Sequence, residues 1–193
     1  MKIAFLRHGP TEWNRHGRIQ GHTDIPLSEE GLKKMQSLRP PFQAARVFVS
    51  PLLRARQTAE AMGFENPVLD ARLMEQNWGQ WEGLSRAEIL ARDGDEAFLR
   101  AGLAAAFRPP GGESTEELLT RVADFLRDAA LDESDAVAIA HLGVLRAAYT
   151  LATGWNMATP MPEKLDLSKA LILEVDANGT PRIAAMNVEL PKR

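Results

Sequence analysis

Ile3-Ala4-Phe5-Leu6-Arg7-His8-Gly9 is a short apolar run that ends abruptly on an arginine, a histidine and a glycine. An uninterrupted apolar run of that length suits a strand buried on both faces. Two further runs of the same kind, Arg46–Val49 and Ala136–Ala140, come later in the chain, and a weaker one covers residues 67–69. Helical stretches separate them. Ser50-Pro51 introduces residues 52–62, with Gly63 as a stop. Ser85-Arg86-Ala87-Glu88 and Ser114-Thr115-Glu116-Glu117 have capping-box spacing. After the second, Leu118, Leu119, Val122, Phe125, Leu126 and Ala129 recur at helical intervals and make one apolar face. Residues 143–153 read as another helix. Toward the end, residues 171–175 and 182–187 flank Asn178-Gly179, a hairpin signal, and Pro181 places the second strand at a sheet edge. Short buried strands alternating with helices predict an α/β fold, and 193 residues suit a single domain over 1–193.

Composition narrows the function classes. Hydrophobic residues make up 45% and charged residues 25%, ordinary for a globular protein. A net charge of -3 provides no global basic field for nucleic acid or an anionic membrane, so neither is expected as a partner. A local basic pocket for one small anion stays open. The absence of cysteine excludes disulfides, cysteine nucleophiles and thiolate metal sites. The first apolar run is too short for a signal-peptide core and no later run approaches a membrane span, so the reading is a soluble, cytoplasmic protein.

Ligands of open α/β sheets bind beyond the carboxyl ends of the strands. Arg7-His8-Gly9 comes after the first strand, Arg54 opens the helix after the second, Glu75 comes after the weak third, and His141 ends the run Ala136–Ala140. Four segments therefore deliver two arginines, two histidines and a carboxylate to one edge. Phosphate monoester chemistry needs that set: fixed positive charge on the non-bridging oxygens, an in-line nucleophile and a proton for the leaving oxygen. Arg7 and Arg54 can grip the oxygens through forked hydrogen bonds. A neighbouring arginine disfavours the imidazolium and keeps His8 a neutral nucleophile. The helix after His141 is expected to aim its N-terminal amides at the same anion, and Glu75 to supply the proton.

Leu6-Arg7-His8-Gly9-Pro10-Thr11-Glu12-Trp13-Asn14 resembles the signature of the histidine phosphatase superfamily, in its phosphoglycerate-mutase-like branch. Further blocks appear in family order: residues 21–31, Ser50-Pro51-Leu52-Leu53-Arg54-Ala55-Arg56-Gln57-Thr58-Ala59, Leu73-Met74-Glu75 through Gly83, Pro110-Gly111-Gly112-Glu113-Ser114, and His141 to Arg146. The resemblance implies a three-layer sandwich, with helices on both faces of a mostly parallel sheet. It implies phosphorylation on His8, a phosphate pocket of Arg7, Arg54 and His141 joined by Asn14, Gln20 and Gly21 near the substrate, and Glu75 as proton donor. It requires no metal and no cofactor.

Two departures stand out. Leu142 occupies the position after the second histidine where the family often has glycine; its backbone amide survives the change. Phosphoglycerate mutases carry Arg and Tyr soon after the catalytic glutamate, where this chain has Gln76-Asn77-Trp78, which favours a phosphatase. Trp78 and Trp81 read as packing, Glu82 and Glu113 as structural, and His16 and His22 as surface or pocket-rim residues, since their spacing with Asp24 matches no strong metal pattern. The expectation is a metal-independent phosphomonoesterase acting on a small phosphorylated metabolite. A phosphoglycerate mutase, a non-catalytic phospho-ligand binder and a metal hydrolase are the alternatives. Substrate choice is assigned to loops such as residues 94–110, and nothing in the sequence sets an oligomeric state.

Overall fold

The computed structural model describes residues 1–94, 107–157 and 159–193. Its six strands, β1 (Lys2–Arg7), β2 (Arg46–Val49), β3 (Val68–Leu69), β4 (Ala136–Ala140), β5 (Ala170–Val175) and β6 (Pro181–Val188), form one sheet in the order β3-β2-β4-β1-β5-β6. The first four run parallel, while β5 is antiparallel to β1 and β6 to β5. Parallel neighbours need a long crossover, and here helices supply it; β5 and β6 are joined by a tight turn and so must be antiparallel. In that turn Gly179 has φ of 81°, and its N–H donates to Asp176 O at 3.0 Å. Pro181 begins the edge strand, where its missing N–H costs no ladder bond. At the other edge β3 has only two residues, both exposed.

Helices α1 (Glu12–Arg15), α2 (Glu29–Gln36), α3 (Leu53–Ala61), α4 (Arg86–Asp93), α5 (Thr115–Ala129) and α6 (Leu142–Thr153) complete the described framework. Strand alternation shows the layering. Ile3 and Phe5 of β1, with Ala136, Ala138 and Ala140 of β4, face a core built from α5 and α6. Ala4 and Leu6, with Val137 and Ile139, face the opposite core, where α2 contributes Met35 and α3 contributes Ala55 and Ala59. Two apolar clusters on opposite sides of one sheet make the predicted three-layer sandwich. Within the first, Phe125 meets Phe5 and Phe48 edge-on, at 6.2 and 5.3 Å. The Ser114 capping box is complete: its side chain accepts from Glu117 N, and Glu117 Oε2 accepts from Ser114 N at 2.9 Å.

Helices α1 and α2 escape the hydrophobic reading for a physical reason. The first is one turn long with no buried residue, and the second buries only Gly31 and Met35. Both are started by caps, from Thr11 and Ser28. Of the loop 94–110, residues 95–106 lie outside the described residues. Among the described residues no helix is long and apolar enough to cross a membrane.

Candidate active site

Register brings the two histidines together. Arg7 of β1 pairs with Ala140 of β4, so the next residue of each strand, His8 and His141, emerges at the same edge. The His8 N–H donates to Ala140 O at 2.9 Å, and the two rings lie 5.1 Å apart. Nδ1 of His8 is 2.7 Å from Gly9 O, a carbonyl that only accepts, so the proton sits on Nδ1 and Nε2 keeps its lone pair. Burial holds His8 well below the ordinary imidazole value, and Arg7 and Arg54 push it further down. Burial, rather than the neighbouring arginines expected from the sequence, is the larger cause. His141 is depressed in the same way, first by burial and then by His8, Arg54 and Arg7. It is fully buried; Nε2 lies 2.8 Å from Ser50 Oγ and Nδ1 has no protein partner.

Those depressions make stability depend on pH. In the unfolded chain each imidazole takes its proton near pH ~6.5, whereas in the folded chain both resist it. Below that pH the unfolded state binds more protons, so stability falls as pH drops through the unfolded value toward the folded ones. Each histidine adds a slope of about 1.4 kcal/mol per pH unit. Urea unfolding at about pH 7.5 and pH 5.5 should show a clearly lower midpoint at the acidic pH; equal midpoints would contradict neutral burial of both rings.

Arg54 is fully buried, with Nη1 donating to Thr23 O at 3.0 Å and Nη2 to Gly21 O at 2.7 Å. Gly21 thus acts here through its carbonyl, as a brace for the guanidinium. Nε of Arg7 and Nε of Arg54 are buried without partners. Among the described residues neither arginine forms an ion pair with a carboxylate. Burial lowers both of their proton affinities, with Glu75 opposing it. Thr11 orders the remaining polar side chains. Its hydroxyl lies 3.0 Å from both Asn14 Oδ1 and Gln20 Oε1, and its N–H donates to Asn14 Oδ1 at 3.1 Å. The one hydroxyl hydrogen of Thr11 is shared between the two amide oxygens, and both Asn14 and Gln20 border the pocket.

Glu75 sits across this cluster. Its Oε1 accepts from Gln76 N and from Gly143 N, both at 2.9 Å. The second bond departs from expectation, because an N-terminal amide of α6 foreseen for the anion is given to the carboxylate. Gly143 permits it: a Cβ there would lie 2.2 Å from Glu75 Oε1. The Glu75 carbonyl accepts from His22 Nε2 at 2.8 Å and from Arg121 Nη2 at 3.1 Å, and Arg121 is paired with Glu113 at 2.6 Å. His22 is therefore a clamp on the acid segment, and Asp24 points elsewhere, accepting from Leu53 N at 2.6 Å. Glu82, read as structural, receives the N–H groups of His22, Thr23 and Trp78. Among the described residues no three His, Asp or Glu side chains gather as a metal site.

The eight predicted residues Arg7, His8, Asn14, Gln20, Gly21, Arg54, Glu75 and Leu142 border one cavity of roughly 180 Å³, with Arg18, Ile19 and Trp78 completing its wall. The His141 ring lies beside that of His8, tilted by 51°. Trp78, read as packing, stacks on buried Trp81 with ring centres 6.1 Å apart and also borders this cavity. Ser50 and Thr11 were not foreseen as parts of the site, whereas His22, read as a surface or pocket-rim residue, bonds to the Glu75 carbonyl beside the pocket. Ser50 and Thr11 stand inside the quoted motif blocks, but their hydrogen bonds depend on contacts between distant segments.

The family model described as histidine phosphatase superfamily (branch 1) matches residues 3–189. A 2,3-bisphosphoglycerate-dependent phosphoglycerate mutase 2 of Gloeobacter violaceus is 32% identical over 69% of this chain and 65% of its own length. A fructose-2,6-bisphosphatase TIGAR of Xenopus tropicalis is 34% identical over 73% of this chain and 55% of its own. The chain thus spans between about half and two thirds of these curated relatives. The solved structure of a mycobacterial glucosyl-3-phosphoglycerate phosphatase complexed with VO3 superposes with a TM-score of 0.81 at 27% identity, covering 97% of this chain and 99% of that one.

Proposed function

The chain belongs to the histidine phosphatase superfamily, branch 1, and from that premise we propose that it is a metal-independent phosphomonoesterase working through a phosphohistidine on His8. One observation carries the reading. The guanidinium groups of buried Arg54 and half-buried Arg7, each with a buried Nε that has no partner and neither with a carboxylate ion pair among the described residues, stand beside a buried neutral imidazole whose Nε2 is free. Buried cations left unpaired by the protein are costly, and a phosphoryl group supplies the missing negative charge. A doubly ionised monoester meets forked donors from Arg7 and Arg54, the amide groups of Asn14 and Gln20, and the first amide of α6 at Leu142.

In the first step His8 Nε2 attacks phosphorus and the bond to the ester oxygen breaks. That oxygen leaves with its electron pair and takes a proton from the Glu75 carboxyl group. Because Glu75 Oε1 already receives two N–H groups, Oε2 is the oxygen that carries the proton. In the second step water attacks phosphorus, gives a proton to the Glu75 carboxylate, and the P–N bond breaks to return neutral His8 and inorganic phosphate. The leaving group departs opposite Nε2, and the cavity that His8 shares with Glu75, Trp78 and Leu142 receives it. Gln76, just after the acid, is turned away, its Nε2 donating to Glu113 O at 3.0 Å. No cation stands directly after Glu75 to hold a second phosphoglycerate charge, which favours hydrolysis over mutase chemistry.

Purified protein should release phosphate from small phosphomonoesters, and a substrate panel tests this. Exhaustive chelation should leave the rate unchanged, while vanadate, which adopts the five-coordinate shape of the transferring group, should inhibit competitively. Loss of activity to EDTA restored by a divalent ion would replace this reading with metal-assisted hydrolysis.

A further inference from the structure

We propose that Ser50 is a positioning residue whose hydroxyl donates to Nε2 of His141 and thereby fixes the ring in the tautomer that presents Nδ1–H to the phosphoryl group. Ser50 stands directly after β2 and His141 directly after β4, and the two strands are parallel neighbours, so the sheet itself sets the pair side by side. Both residues are fully buried, and Oγ lies 2.8 Å from Nε2. Water is therefore excluded from that contact, and the hydrogen bond has no solvent competitor.

A neutral imidazole carries one proton, and its two ring nitrogens face different surroundings. Nδ1 is buried without a protein partner, beside His8 and close to the two arginines that await the anion. A lone pair there would confront phosphoryl oxygens, acceptor against acceptor; an N–H there donates to them. The useful tautomer is thus Nδ1–H, which leaves Nε2 as an acceptor. The Ser50 hydroxyl can serve either role, so its own surroundings decide. Leu52 N–H donates to Ser50 Oγ at 3.3 Å and takes one of its two acceptor positions, and among the described residues Nε2 of His141 is the acceptor within reach of the hydroxyl hydrogen, which therefore points at it. A relay results, from Leu52 N–H to Ser50 Oγ–H to His141 Nε2, with Nδ1–H at its far end. Hydrolase triads use a fixed partner on one imidazole nitrogen in the same way, to hold the other in its working state. What Nδ1–H does to the phosphoryl group rests on the proposed function; which tautomer the ring holds does not.

Long-range proton–nitrogen correlation spectra of ¹⁵N-labelled protein report the tautomer without substrate. Wild type should show His141 protonated at Nδ1, and Ser50→Ala should move the proton substantially to Nε2. The rate of forming the His8 adduct should fall by about tenfold or more, the size of loss seen when the hydrogen-bond partner of a metal-binding histidine is removed. Ser50→Thr keeps the hydroxyl and should restore tautomer and rate together; if its extra methyl prevents folding, the alanine spectra still decide. A wild-type ring protonated at Nε2, or an alanine variant whose tautomer is unchanged while its rate falls, would overturn the proposal. Failure to find any phosphoryl adduct would count against the proposed function alone, because the spectra are recorded without it.

Discussion

His8→Ala is expected to lower turnover of phosphomonoesters by on the order of 10⁴–10⁶-fold, the range seen when a covalent nucleophile is removed. The ring's polar contact is local, Nδ1 to Gly9 O, and the bond that ties this residue to β4 is made by its backbone N–H. Alanine keeps that backbone bond, so the sheet register that places His141 survives. The variant should melt as a folded protein while phosphate release all but disappears. A loss smaller than about tenfold in a folded variant would place the chemistry on another group.

Glu75→Gln separates the acid from the phosphate clamp. Glutamine keeps size and can still accept from Gln76 N and Gly143 N through its amide oxygen, but it has no proton to transfer. Adduct formation from alkyl phosphates, whose alkoxide needs protonation, should slow by ~10²–10⁴-fold. An aryl ester such as p-nitrophenyl phosphate should lose far less, since its phenolate leaves with little help. Arg54→Ala should instead slow both substrate kinds, because each needs its phosphate oxygens held. Single-turnover rates are the measurement, so that the later role proposed for Glu75 as base does not enter. Equal losses for the two esters in Glu75→Gln would remove Glu75 from the role of acid.

Much of this arrangement is legible in the sequence because it depends on strand ends. Ile3–Leu6 and Ala136–Ala140 are apolar enough to be buried on both faces, and the residues that leave the carboxyl ends of parallel strands must share one edge. The cap at Ser114 and the hairpin around Gly179 are equally local. Helices α1 and α2 are not legible, since they bury too little to impose a period. Nor is the bond from Gly143 N to Glu75, which joins residues 68 positions apart and uses an amide that helix-terminus reasoning assigns to the anion. Trp78 reads as packing, and it does stack on Trp81, but its place on the cavity wall depends on distant segments meeting. Composition cannot encode contacts of that kind; only the assembled sheet edge does.

The central claim is that the phosphoryl group passes through His8, and trapping it is the most direct test. Wild-type protein mixed with a ³²P-labelled monoester and quenched within milliseconds should carry label that is stable to base and released by acid, as a phosphoramidate is. Peptide mapping should place that label on His8, and Glu75→Gln should still accumulate it from an aryl ester. Label mapped to another residue, or turnover with no labelled protein at any quench time, would contradict the account.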